Sequence, residues 1–229
     1  MKVGIYGGSF DPVHYGHVNV ARTAVSDLGL DRLVVVPAAV SPFKTESGPG
    51  NGPWQRIEMV KAAFADVPNA IVDMREIERG GVSYAIDTVR SIVAETAPDP
   101  TGNEFFFIVG EDSLDRLDEW KDIGELRRLC TFKAYPRTKE SSTEIRRLFA
   151  ENSVTLNEDA KLVEVVRAGL VRKNAFCPCR LPKLPEFFCP CDEFKAQLAD
   201  PSFHGLCHCR LYRKPRGRVA IDTRKIHMV

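Results

Sequence analysis

The chain has 229 residues, 44% of them hydrophobic and 28% charged, with a formal net charge of +1. That balance excludes wholesale disorder and leaves room for one larger domain and one small one. It also excludes a global electrostatic footprint for nucleic acid or an anionic membrane, although basic residues gather over 210–218.

The apolar run in residues 1–8 is too short for a signal peptide, and the most hydrophobic stretch, 33–40, is broken by Pro37. A cytoplasmic protein without membrane or nucleic-acid partners is expected. Short apolar runs alternate with helical patterns, which is the mark of a parallel sheet with covering helices. Strands are expected over 2–6, 32–37, 70–74, 104–109 and 131–135. Helices are expected over 17–27, 54–64, 84–95, 114–129 and 143–150, with Ser141 or Ser142 as the N-cap of the last. Gly- and Pro-rich segments at 47–53 and 97–103 read as surface connections. Beyond Glu151 the character changes. One amphipathic helix is expected over 160–171, and prolines interleaved with cysteines then give a composition unsuited to regular secondary structure. The expected division is a Rossmann-like α/β domain over 1–150 and a small helix-plus-loop domain over 151–229.

The first strand runs into Gly7-Gly8-Ser9-Phe10-Asp11-Pro12-Val13-His14-Tyr15-Gly16-His17. Gly7 and Gly8 lack a Cβ, so backbone N–H groups can approach a phosphate at the strand end. A helix starting near His14 adds a positive dipole end. His14 and His17 are three apart, so on a helix they share one face and can donate to oxygens of one phosphoryl group. Such an arrangement suits transfer to phosphorus by positioning and charge stabilisation.

The eleven-residue string resembles the signature of the H-x-G-H nucleotidyltransferase superfamily, in the form typical of the nicotinate-nucleotide adenylyltransferase family. Ser141-Ser142-Thr143-Glu144-Ile145-Arg146 resembles that family's second signature, in which hydroxyls and N–H groups at a helix start hold ATP phosphates. Lys44 matches its phosphate-reaching basic residue. Ser83-Tyr84-Ala85-Ile86-Asp87-Thr88 and Gly110-Glu111-Asp112-Ser113 resemble two further motifs, and Trp120 falls where the family stacks an aromatic on the pyridine ring. The resemblance implies attack by the 5′-phosphate of nicotinate mononucleotide on the α-phosphorus of ATP, with Mg2+ on the phosphates. His14, His17, Lys44 and Arg146 are then the catalytic residues. Gly7, Gly8, Ser9, Phe10, Gly110, Asp112, Ser142 and Thr143 bind ATP, while Ser83, Tyr84, Asp87 and Trp120 bind the mononucleotide. The sequence departs from the family at Ala85, where a threonine is usual, and in the short link from Arg137 to Ser141. The family's own C-terminal strand and helix are not recognisable after Leu148.

Six of the seven cysteines form three Cys-x-Cys pairs, Cys177/Cys179, Cys189/Cys191 and Cys207/Cys209. Crowded thiolates repel unless a metal or a disulfide takes up their charge. Structural zinc usually takes C-x2-C spacing and four ligands, leaving two cysteines over, so the arithmetic suits a cluster plus a disulfide, with zinc the rival. The order C-P-C-R, C-P-C, C-H-C resembles the catalytic chain of ferredoxin-thioredoxin reductase. On that resemblance Cys177, Cys189, Cys191 and Cys207 bind a 4Fe-4S cluster, and Cys179 and Cys209 form a redox disulfide beside His208. Ferredoxin and a thioredoxin-like protein are the implied partners. Two other readings are open: a disulfide reductase whose nucleotide domain only binds or senses nucleotide, and a structural metal module that completes the shortened first domain. Cys130 reads as a core residue.

Overall fold

The computed structural model describes residues 1–43, 53–96, 102–136 and 138–217. Two compact units emerge, one of Met1–Phe10, Gly16–Pro49 and Phe64–Lys139, the other of Asp11–Tyr15, Gly50–Ala63 and Glu140–Val229. Among the described residues, no helix is long and apolar enough to cross a membrane.

The first unit is built on β1 (Lys2–Gly8), β2 (Arg32–Pro37), β3 (Ala70–Val72), β4 (Glu104–Gly110) and β5 (Thr131–Tyr135). All pair in parallel, in the order β3-β2-β1-β4-β5. A parallel sheet needs crossover connections that bury its faces, and β1, β2 and β4 accordingly read as near-continuous apolar runs. The unit's helices are α1 (Tyr15–Leu28), α3 (Arg75–Arg79), α4 (Ala85–Thr96) and α5 (Ile123–Leu129), whereas α2 (Pro53–Phe64) belongs, up to Ala63, to the second unit. Val3, Ile5, Val34 and Val36 of the sheet meet Ile86, Val89 and Leu126 of α4 and α5 in one core, which also takes in Cys130. Burial pushes the Cys130 thiol up to about 12, so it stays protonated as an apolar filler.

The single helix expected over 114–129 is two. A 3-10 stretch covers Glu111–Glu119, and the chain turns through Asp122 in the left-handed region (φ 53°) before α5 begins. The apolar positions Leu114, Leu117, Trp120, Ile123, Leu126 and Leu129 recur every third residue. That period eclipses on a 3-10 helix but drifts around an α-helix, so a break keeps Leu117 and Leu126 inward.

The short helix α3 buries Glu76, whose carboxylate accepts from the Thr88 hydroxyl. Burial, the largest influence, raises its pKa above the usual glutamate value. The protonated form is thus favoured by folding. Its contribution is fully present below the unfolded value near about 4.3 and is lost as pH rises through the higher folded value. Glu76→Gln should therefore melt above the parent protein at pH 8, with the gap shrinking on acidification; a constant gap in melting scans across that range contradicts this.

In the second unit α6 (Ser142–Glu151), α7 (Ala160–Arg172) and α8 (Asp192–Ala199) accompany an antiparallel sheet of β6 (Thr155–Leu156), β8 (Tyr212–Lys214) and β7 (Gly205–Leu206), in that order. Ser141 caps α6, accepting from the Glu144 N–H at 3.4 Å, and Asp159 caps α7. The expectation of irregular chain beyond α7 is corrected by α8 and the small sheet. Phe194 and Leu198, four apart and both buried, give α8 its inward face. Phe149, Phe194 and Tyr212 form an aromatic core with centroids 5.1–6.1 Å apart.

Candidate functional site

The strand order reverses between β1 and β4, the place where doubly wound sheets leave a crevice beyond the strand ends. Gly7 and Gly8 end β1 there. Phe10 adopts a left-handed conformation (φ 45°), and its ring folds back so that a Cβ on Gly8 would lie 3.0 Å from it. The same ring meets the half-buried His17 imidazole edge-on at 5.0 Å. Gly8 therefore makes room for Phe10, beyond any service to a ligand. Gly110 has a similar use, since a Cβ there would lie 2.6 Å from the Asp112 carboxylate. Ser9 is half-buried and Asp112 exposed.

The residues read as mononucleotide-binding lie in the same unit with distinct surroundings. Ser83 is buried and its hydroxyl accepts from the Ala39 N–H at 2.9 Å, tying the exit of β2 to the start of α4. The Lys121 ammonium sits 4.5 Å over the half-buried Tyr84 ring and 3.7 Å from Asp87. Trp120 is half-buried among Phe107, Phe132 and Phe43, at 5.5, 6.0 and 6.5 Å. Lys44 lies outside the described residues.

The second unit joins the segment Asp11–Tyr15 to the start of α6. The Ser142 hydroxyl donates to the Pro12 carbonyl at 2.9 Å, and the Arg146 guanidinium donates to the Asp11 carbonyl. Arg146 is also 3.9 Å from the Asp11 carboxylate and 3.3 Å from the Thr143 hydroxyl, which accepts from it. His14, 8% exposed, belongs to this segment, two residues beyond the Pro12 carbonyl that Ser142 binds. Thr143 remains exposed at the helix start.

Arg56 on α2, missed in the sequence reading, is 0% exposed, and Asp11 is 3% exposed. Burial lowers the Arg56 pKa while the Asp11 charge opposes that effect. The available signal was positional: Arg56 and Val60, four apart, share the buried face of α2.

The three cysteine pairs converge in this unit, and none of their thiols is in a disulfide. The sulfurs of Cys177, Cys179 and Cys209 lie within 4.8 Å of one another, and Cys207 Sγ is 3.6 Å from Cys209 Sγ. Hydrogen bonding from Cys209 lowers the Cys177 pKa to about 6 and the Cys207 pKa to about 7, and raises its own. Burial raises Cys189 and Cys191, with neighbouring sulfurs adding to it. Cys179 is exposed and Cys209 buried. The Tyr212 N–H donates to Cys207 Sγ at 3.3 Å. The Tyr212 hydroxyl is buried beside the Cys189 thiol, and its pKa is raised by burial and by the sulfurs of Cys189, Cys207 and Cys209. A nest of soft donors that cannot all ionise without a cation fits a thiolate-bound metal group. Glu193 pairs with Arg180 and lies 3.9 Å from His208 Nδ1, linking the first and third pairs.

The description "Cytidylyltransferase-like" belongs to the family model that matches residues 5–166, leaving all three cysteine pairs beyond its end. The chain is 40% identical over 141 residues to a probable nicotinate-nucleotide adenylyltransferase of Shouchella clausii, across 62% of this chain and 71% of that relative. It is 34% identical over 175 residues to a protein of the same description from Listeria monocytogenes, across 69% of this chain and 90% of that relative. In structure it is similar to the Plasmodium falciparum nicotinic acid mononucleotide adenylyltransferase complexed with NaAD, with a TM-score of 0.50, 18% identity, and coverage of 66% of this chain and 84% of that one. At that identity the likeness speaks to the fold.

Proposed function

The chain belongs to the cytidylyltransferase-like family, and from that premise we propose that it adenylylates nicotinate mononucleotide from ATP, a step of NAD biosynthesis. The observation that supports this most is the tie between the histidine-bearing segment and α6 through Ser142 and Arg146. In the reaction an oxygen of the mononucleotide 5′-phosphate attacks the α-phosphorus of ATP, the bond to the β-phosphate breaks, and pyrophosphate leaves with deamido-NAD as product. His14, His17, Lys44 and Arg146 neutralise charge on the phosphates. Gly7, Gly8, Ser9 and Phe10 with the start of α1, and Ser142 and Thr143 with the start of α6, offer N–H groups and hydroxyls to ATP. Gly110 and Asp112 serve the adenosine, and Ser83, Tyr84, Asp87 and Trp120 the mononucleotide. Mg2+ enters as part of the ATP substrate. The test is pyrophosphate release from ATP with nicotinate or nicotinamide mononucleotide. Release that requires a mononucleotide and is faster with the nicotinate form supports the reading; none with either rejects it.

A second reading concerns the cysteine nest, and the convergence of sulfurs on Cys209 favours it. Cys177, Cys189, Cys191 and Cys207 hold a 4Fe-4S cluster, and Cys179 and Cys209 are a redox pair with His208 beside them. A bound cluster supplies electrons singly, whereas reduction of a disulfide needs two electrons and two protons. A ferredoxin-like donor and a thioredoxin-like disulfide are the fitting partners. Protein purified without oxygen should carry about four iron atoms per chain and be brown. A colourless protein with stoichiometric zinc rejects the cluster in favour of a structural metal.

A further inference from the structure

Tyr15 stands between His14 and Gly16 and opens α1. Its ring packs edge-on against Phe176 and Phe188, with centroids 6.2 and 6.1 Å away, and those two rings meet at 5.3 Å. Phe176 and Phe188 immediately precede Cys177 and Cys189, the first cysteines of two pairs. An antiparallel bridge joins them, flanked by hydrogen bonds from the Cys177 N–H to the Phe187 carbonyl at 2.7 Å and from the Cys189 N–H to the Ala175 carbonyl at 2.9 Å. The backbone ladder that sets two cysteine pairs side by side thus also aims the two rings at Tyr15.

A second path reaches α6. Its Phe149 packs on Tyr212, whose N–H binds Cys207 Sγ, and on Phe194, three residues beyond Cys191. Both segments that bear signature residues in this unit therefore rest on residues one to three positions from the cysteines.

We infer that the cysteine module is a positioning scaffold for nucleotidyl transfer, with Phe176 and Phe188 as positioning residues that act on His14 through the Tyr15 ring. The inference rests on the adenylyl-transfer reading. A rigid edge-on aromatic trio limits rotation of the residue next to the histidine, and catalysis by positioning is sensitive to displacements of about 1 Å. Sulfur chemistry is not required for this role; the module's fold suffices.

The test compares Phe188→Ala, Phe188→Leu, Tyr15→Ala and the control Leu181→Ala, which alters a side chain 96% exposed in the same module. Three readouts are kcat and KM for ATP, hydrogen exchange of the amides in 11–15, and global unfolding. Phe188→Ala should lower kcat by roughly ten- to a hundredfold with a smaller change in KM and speed exchange in 11–15. Phe188→Leu should restore part of the loss, Leu181→Ala should match the parent, and Tyr15→Ala combined with Phe188→Ala should be no worse than either alone. Unchanged kcat and unchanged exchange in Phe188→Ala overturn the inference. If the parent protein releases no pyrophosphate, the adenylyl-transfer reading fails, and exchange in 11–15 decides the coupling by itself. Should Phe188→Ala fail to fold, Tyr15→Ala decides by the same readouts.

Discussion

Replacing His17 with alanine lowers turnover on the order of 10²–10³-fold while changing stability by less than about 1 kcal/mol. The side chain is half-buried in the first turn of α1, its ring touching Phe10 edge-on, so little packing is lost. On the adenylyl-transfer proposal, what is lost is a donor to the phosphoryl oxygens, where negative charge grows during transfer, at a helix end whose dipole already favours an anion. His14→Ala is a poorer probe, because that residue is buried and its loss disturbs the segment joined to α6. Steady-state kinetics of His17→Ala beside a melting curve checks the expectation; near-normal kcat removes this histidine from the mechanism.

Asp11→Ala lowers unfolding free energy by about 3–5 kcal/mol. Its carboxylate is buried near the fully buried Arg56 guanidinium and within 3.9 Å of Arg146. Removing one member of a buried charge group leaves the other in a medium that solvates it poorly, and that penalty exceeds the interaction lost. Asp11→Ala combined with Arg56→Met removes both charges and should recover much of the loss. Denaturant titrations in which the single and double variants unfold at the same midpoint contradict the charge account.

The five parallel strands were legible because each is a short apolar run between helical patterns, and Thr131–Tyr135 and Arg32–Pro37 match their expected bounds. Ser141 was legible as a cap because a hydroxyl before Thr143-Glu144 has little other local use. The break at Asp122 was hidden, since apolar residues three apart satisfy an α-helical pattern for a turn or two before they drift. The helix α8 was masked by prolines and cysteines around it, although Phe194 and Leu198 carried its periodicity. Of the candidate site, the motif residues could be read from the string, whereas the charge interaction of buried Arg56 with Asp11 and the Tyr15 contacts depend on approaches between segments far apart in sequence. No local pattern encodes those. The sulfur pairs announced themselves by type and spacing, but the approach of Cys177, Cys179 and Cys207 to Cys209 required their positions.

The most direct measurement supplies ATP labelled at the α-phosphate together with nicotinate mononucleotide and follows the label. The account predicts one labelled deamido dinucleotide for each pyrophosphate released, and no pyrophosphate when the mononucleotide is omitted. Label that stays in ATP, or that emerges as AMP whether or not the mononucleotide is present, contradicts it.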